Sequence, residues 1–423
     1  MEDFSRKRKD FFSHIPEFWP DLYNEEYALY DVKEEKKETI DEIRTATERI
    51  GHLFFKTVPL LQNLEDDVLL QLGFPASTLF FLKSSSPLNV PSVIARADLI
   101  VKEGKIKLLE LNADTPTFIK ETFFVNGKVC EHFGVQNPNE GCEGELKEAI
   151  EEAVSQSFRC LHKSGPPNIV FTSHEDDMED FYTTKYLLDL SSLPAHYVSL
   201  QNLKIVIEDE EEIAKGIYDS FYQKIDVLYR QTYPLEHLIL DKGDSNEAVG
   251  EALMRLVNEN KLSIINPSAA FLLQSKAVQA LIWGLHETNH SFFTKEEHTW
   301  ISTYFLPTYL DSAPFREQEK AFVQKPAFGR EGDTVEIYSE KGENKSQNPY
   351  HTYDEYLSVY QQYESLPVSN IQTIDGVKEA RIMYGCFLVS GKASAIGIRA
   401  GGEITDNGAY FLPVAQNLTR GNV

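Results

Sequence analysis

The segment LLELNADTPT, Leu108 to Thr117, carries a glutamate and an asparagine two positions apart inside an apolar run. Side chains alternate faces along a strand, so Glu110 and Asn112 share one face while Leu109 and Leu111 take the other. Upstream, RADLI puts Arg96 and Asp98 on one face by the same rule. If the two stretches form a hairpin whose loop is Glu103-Gly104-Lys105, with the glycine supplying a positive φ, Asp98 lies opposite Glu110 and Arg96 opposite Asn112. A two-residue turn would spoil that register. Opposed carboxylates repel by up to about 1 kcal/mol, so something positive belongs between them. Arg96 is one candidate, and Mg²⁺ is another. Asp, Glu and an amide oxygen are hard ligands of the type that ion takes beside water and phosphate. The plainer alternative is a half-exposed strand with ordinary polar side chains.

Such a hairpin needs a body to hold it. The chain has 423 residues, 42% of them hydrophobic, enough for a large core and two or three subdomains. Ile40, Ile43, Ala46, Ile50, Leu53 and Phe54 recur at helical spacing, so an amphipathic helix is expected to pack on that core. After the hairpin, GELKEAIEEAVSQSF reads as a helix, PNIVFTS and KIDVLYRQTYP as buried strands, SKAVQALIWGL as a helix and AFVQKPAF as a strand. DEYLSVYQQYE reads as a helix and ARIMYGCFLVSGKASAIGIRAGG as a closing hairpin. SEKGENKSQNPYH, polar and rich in Gly, Asn and Ser, is expected to be a mobile surface loop. The alternation points to an α/β layer.

Charge and cysteine usage narrow the function classes. With 41 Lys+Arg against 66 Asp+Glu, the net charge of -25 repels a phosphate backbone and draws cationic small molecules, so no nucleic-acid partner is expected. Cys130, Cys142, Cys160 and Cys386 lack zinc or C-x-x-C spacing and read as reduced thiols. No apolar run approaches the ~18 residues of a membrane span, and no signal-length segment follows the basic run Arg6 to Lys9. A cytoplasmic protein without a membrane partner is expected, with RKRK on a solvated helix face. The oligomeric state is not legible.

Taken in order, RADLI, LLELNADTPT, QSKAVQALIW, QKPAFGREG, YQQYESLP and GIRAGGEIT resemble the synthetase part of the glutathionylspermidine synthase family, over about Phe11 to Asn417. The resemblance implies an α/β (α+β) ATP-grasp fold in permuted order, with a pre-ATP-grasp α/β layer and a helical N-terminal segment. It divides the chain into 1–90 as that segment, 91–320 as metal-binding hairpin and substrate-binding region, and 321–423 as lid and nucleotide-binding sheet. It implies an enzyme that uses ATP and Mg²⁺ to join a carboxylic acid to an amine through an acyl phosphate. The alternatives are a small-molecule kinase on the same fold and a non-catalytic nucleotide-binding protein.

By the same resemblance, Asp98, Glu110 and Asn112 are the metal ligands and Arg96 steadies the transferring phosphoryl group. Lys276 and Lys325 match ATP-binding lysines. Lys325 stands in an apolar strand, where a lysine should meet an anion or snorkel. GREGD is the lid, with Arg330, Glu331 and Gly332 at the phosphates; a plain hairpin turn would explain its glycines equally well. Gln362, Tyr363, Glu364 and Ser365 match the adenine hinge, and Arg399 a phosphate or substrate arginine. Thr115 and Thr117 border the substrate site, as do Glu179 and Asp180 in the acidic run HEDDMED, whose other reading is a solvated helix start. Arg230 and Glu236 lie on the next comparable strand end, where α/β sheets place ligands. Phe118 and Glu331 stand where a glutathione-using relative has cysteines, so glutathione is not assigned. The chain begins almost at the synthetase part, so no fused amidase domain is expected. The strongly acidic chain favours an amine with more than one charge, such as a polyamine.

Overall fold

The computed structural model describes residues 2–84, 86–209 and 213–417. The expected amphipathic helix runs Lys37–Gln62 and buries Ile40, Ile43, Ala46, Ile50, Leu53 and Phe54 on one side. That side lies on a six-stranded sheet. At Gly51 a Cβ would come within 2.6 Å of the Leu388 side chain, so the helix sits closer to the sheet than an alanine would allow.

The sheet runs Tyr410–Leu412, Lys392–Gly401, Gly376–Val389, Ile94–Lys102 and Lys105–Asn112, with Val368–Thr373 also paired to Gly376–Val389. The expected closing hairpin is thus present, and its first strand pairs with Ile94–Lys102.

The hairpin Ile94–Lys102 with Lys105–Asn112 reaches its pairing by a route other than the one expected. The turn has two residues, Glu103 and Gly104, both left-handed at φ 53° and 74°, as a turn matched to strand twist requires. Lys102 pairs with Lys105 and Leu99 with Leu108, and the register then slips by one between Asp98 and Leu99. The extra residue, Leu109, is a β-bulge. It restores Asp98 opposite Glu110 and Arg96 opposite Asn112.

A second, parallel sheet is ordered Ser263–Ile265, Val227–Gln231, Ile169–Ser173 and Ala195–Tyr197. Its two inner strands are buried along their whole length, as parallel strands covered on both faces must be. The helices Cys142–Cys160 and Met178–Ser191 pack against it.

The third sheet is antiparallel, ordered Thr308–Tyr309, Ser358–Gln362, Phe322–Pro326, Glu336–Tyr338 and Asn344–Gln347. Two expectations fail here. DEYLSVYQQYE contains the strand Ser358–Gln362, not a helix; Val359 and Gln361 alternate inward between two neighbouring strands. Its apolar spacing fits either period, and strand pairing decides. SEKGENKSQNPYH is no plain loop, since Asn344–Gln347 forms the edge of this sheet.

The basic run lies on the helix Glu2–Ser13, and three of its four residues are exposed. Arg8 is the exception. It is buried, donates to the Ala28 carbonyl at 3.0 Å and pairs with Asp21 and Glu26 at 2.8 and 3.1 Å. No described helix is long and apolar enough to cross a membrane.

Candidate active site

The four residues with which the sequence reading began converge on one face of the hairpin. Arg96 forks onto Asp98, Nε to Oδ1 at 2.6 Å and Nη2 to Oδ2 at 2.9 Å, and its Nη1 donates to the Thr117 carbonyl at 2.8 Å. Asn112 Nδ2 reaches Asp98 Oδ2 at 3.0 Å and Glu110 Oε1 at 3.3 Å. Lys276 Nζ lies 3.2 Å from Glu110 Oε2. Arg96 and Lys276 thus supply the positive charge that two opposed carboxylates require. Burial alone would raise the Glu110 carboxyl, but Lys276, Lys325 and Arg96 hold it down at about 2.

These groups fit a hard divalent ion. Two carboxylates and an amide meet within hydrogen-bond distance, and half a turn of the Asn112 amide would exchange its Nδ2 for Oδ1, giving an all-oxygen set. Among the described residues no group of three or more His, Cys, Asp or Glu side chains forms a closed cage. A set of two carboxylates and an amide suits Mg²⁺, which keeps several waters and shares itself with phosphate.

The bulge has a second effect. It frees the Leu109 carbonyl from the ladder, and three side chains converge on it: Gln279 Nε2 and Gln361 Nε2 at 3.3 Å each and Lys325 Nζ at 3.4 Å. Lys325 also donates to Gln361 Oε1 at 2.8 Å. Its burial depresses the ammonium to about 8, despite the nearby Glu110 carboxylate. Lys276, matched to an ATP-binding lysine, is 7% exposed and donates to the Gly329 carbonyl at 3.0 Å. It stands just before the helix Ala277–Glu287.

Two clefts meet at Glu110. The first holds about 750 Å³ of non-atom space, part of it open to solvent. Val323, Ile337, Leu366 and Met383 form its apolar walls, and Lys276, Lys325 and Arg330 bring positive charge to it. Tyr363 and Glu364 line it as well. The second cleft, of about 620 Å³, is lined by Arg96, Asp98, Asn112, Thr115, Thr117 and Arg399 among others. Glu110, Arg330, Glu331 and Gly332 border both. Gly332 has φ 71°, and a Cβ there would lie 2.7 Å from the Thr405 carbonyl oxygen, so the GREGD turn tolerates only glycine at that point. Glu331 accepts from the Asn407 amide.

Several expected residues lie outside both linings. Gln362 and Ser365 do not border the first cleft; Ser365 accepts from Lys102 Nζ at 3.1 Å. Arg230 is 1% exposed and paired with the buried Asp114, so its charge holds LNADT against the parallel sheet. Glu236 is buried nearby, its Oε2 without a partner, and burial with Asp114 beside it pushes it up to about 8. In HEDDMED the two readings divide by residue. Asp177 caps the helix Met178–Ser191, accepting from Asp180 N at 3.0 Å, and Asp176 is exposed. Asp180 and Glu179 turn inward. Burial with Asp177 beside it raises Asp180 to about 7, and burial with Glu121 beside it raises Glu179 to about 8.

Sequence reasoning passed over Glu121, Gln279 and Gln361. Glu121 is fully buried in FIKETFFV and accepts from Tyr27 Oη at 2.6 Å. Its signal was of the same type as that of Glu110: an acid inside an apolar run.

The description glutathionylspermidine synthase preATP-grasp matches residues 10–416. A putative acid–amine ligase of Haemophilus influenzae is 25% identical over 333 residues, 76% of this chain and 74% of that protein. Among solved structures, a glutathione synthetase-like effector from Globodera pallida, in apo form, superposes with a TM-score of 0.60 at 11% identity, covering 98% of this chain and 96% of that one. At that identity the likeness concerns the fold alone.

Proposed function

The chain belongs to the glutathionylspermidine synthase preATP-grasp family, and from that premise we propose an ATP- and Mg²⁺-dependent ligase that joins a carboxylic acid to an amine through an acyl phosphate. Its fold is ATP-grasp in permuted order, and the acid–amine ligase named among its relatives is of the same reaction type. The observation that carries the reading is the hairpin face of Arg96, Asp98, Glu110 and Asn112, standing where an apolar cleft with three cations meets a polar one.

In this reading the adenine lies between Val323, Ile337, Leu366 and Met383, and Lys276, Lys325 and Arg330 hold the phosphates. Asp98, Glu110 and Asn112 would hold Mg²⁺, which supplies neutralisation of charge on the phosphate oxygens. Arg96, fixed by its fork onto Asp98, lines the second cleft and steadies the phosphoryl group as it moves to the substrate carboxylate. The GREGD turn covers the phosphates and excludes water, which would otherwise hydrolyse the acyl phosphate. Arg399, Thr115 and Thr117 orient the acid. Glu179 and Asp180 receive the positive charges of the amine, for which a diamine or polyamine is the fitting class; Arg230 and Glu236 shape that side of the site from behind.

The test is a screen of acids (glutathione, glutamate and short peptides) against amines (butane-1,4-diamine, spermidine, methylamine and amino acids), reading ADP release and product mass. ADP release that needs both substrates, with a product at the mass of the amide, is the expected result. An isolable phosphate ester from one substrate would make the protein a kinase, and nucleotide binding without turnover would remove the ligase reading.

A further inference from the structure

The paired glycines Gly385 and Gly397 flatten one part of the six-stranded sheet. A Cβ at Gly385 would stand 3.0 Å from Arg96 Cδ, and one at Gly397 would stand 2.5 Å from Phe118 Cε1 and 2.6 Å from Thr122 Oγ1. Arg96 and the segment Phe118–Thr122 therefore lie on adjoining bare patches of backbone. Arg399, two residues beyond Gly397 on its strand, projects to the same face. Residues Glu121–Val125 form a π-helical turn, a rare device that recurs at functional sites.

Glu121 opens that turn with no exposed surface. Its Oε1 accepts from Tyr27 Oη at 2.6 Å, while Oε2 is buried and has no hydrogen-bond partner. A buried carboxylate oxygen left without a donor is unfavourable. Oε2 therefore has an acceptor position left over for a donor from a bound molecule, on the side of the sheet that carries Arg96 and Arg399.

We infer that Glu121 is the proton acceptor for the attacking amine, holding its nitrogen at Oε2 beside Arg96 while Glu179 holds the far end. This rests on the ligase reading above. An amine arrives as an ammonium and cannot attack until it loses a proton. The N–H bond breaks toward Glu121 Oε2, where an O–H bond forms, and the electron pair stays on nitrogen. That pair forms the C–N bond as the bond from the acyl carbon to the phosphate oxygen breaks, and the second proton leaves with the phosphate.

The groups facing Glu121 set its titration. Burial raises the carboxyl, while Tyr27, Arg399 and Arg96 lower it, with a net rise. Glu179 feels Glu121 as its largest neighbouring charge, and Lys120 is the adjacent cation along the chain. A carboxyl brought up toward neutrality is the better base at neutral pH.

The experiment compares two nucleophiles on the same acyl phosphate: hydroxylamine, already uncharged at neutral pH, and butane-1,4-diamine, which must be deprotonated. With the acids of the screen, E121Q should lower the ratio of amide to hydroxamate by about 100-fold and remove the acid limb of the pH profile of kcat for the diamine. E121D should restore part of that ratio. Y27F, which removes a hydrogen bond that favours the ionised form, should move the limb to higher pH. Equal loss of amide and hydroxamate in E121Q, or an unchanged ratio and pH limb in both E121Q and Y27F, overturns the assignment and leaves the ligase standing. No hydroxamate from the wild-type protein with any acid overturns the ligase reading itself.

Discussion

The two sides of the active site apply the same burial to opposite charges. On the side proposed for the nucleotide an ammonium is buried, and Lys325 falls to about 8. On the other side carboxyls are buried, and Asp180 and Glu179 rise to about 7 and 8. In each case burial disfavours the charged form, and a counter-ion restores it. The cleft that buries Lys325 suits an anion, and the buried carboxyls of Glu179 and Asp180 suit a cation. Glu110 lies on the boundary and is the exception. It is held down at about 2 because the cations of the first cleft surround it. The proposed transfer between a polyanionic donor and a cationic acceptor fits this division.

The division is broken most severely at its boundary. Glu110→Ala removes a carboxylate of the candidate metal set and leaves Lys276 without its partner, so ADP formation should fall by about 1,000-fold or more while the circular dichroism spectrum is retained. Normal turnover in that variant would end the metal assignment.

The next effect is on pH, and its sign differs between the two sides. Lys325 is charged below about 8 and neutral above it, so the KM for ATP should rise as pH climbs through 8. Glu179 and Asp180 are charged above about 8 and 7 and neutral below, so the KM for a diamine should rise as pH falls through that interval. Each should change by roughly tenfold per pH unit once past its pKa. Parallel pH dependence of the two constants would contradict the account.

Glu179→Gln sharpens the contrast within one side. It should raise the KM for a diamine by about tenfold, with kcat and the KM for ATP little changed, because one ammonium loses a partially buried partner. A smaller effect concerns the lid. ATP with Mg²⁺ should slow proteolysis within 329–348 several-fold, since closure orders that stretch; equal cleavage with and without nucleotide would reduce GREGD to a turn.

How much of this was legible beforehand differed by residue. The face of Arg96, Asp98, Glu110 and Asn112 could be read because period-two alternation is local, and the pairing came out as expected even though a two-residue turn and a bulge produced it. The long helix Lys37–Gln62 was legible for the same reason, its period being contained in the segment. Ser358–Gln362 was not, because its strand character is imposed by neighbours more than thirty residues away along the chain, Phe322–Pro326. Gln361 and Gln279 were missed because their role is to meet a carbonyl that only the bulge exposes. Arg230 looked like a ligand at a strand end and is instead paired with Asp114, a partner in the segment just beyond another sheet's hairpin.

The central claim is that a substrate carboxylate is phosphorylated before the amine attacks. With ¹⁸O in both carboxylate oxygens of the acid, mass spectrometry of the released phosphate should find one ¹⁸O per phosphate in proportion to amide formed, because the oxygen that bridges carbon and phosphorus leaves with phosphorus. Phosphate free of label, released alongside an amide that has formed, would contradict it.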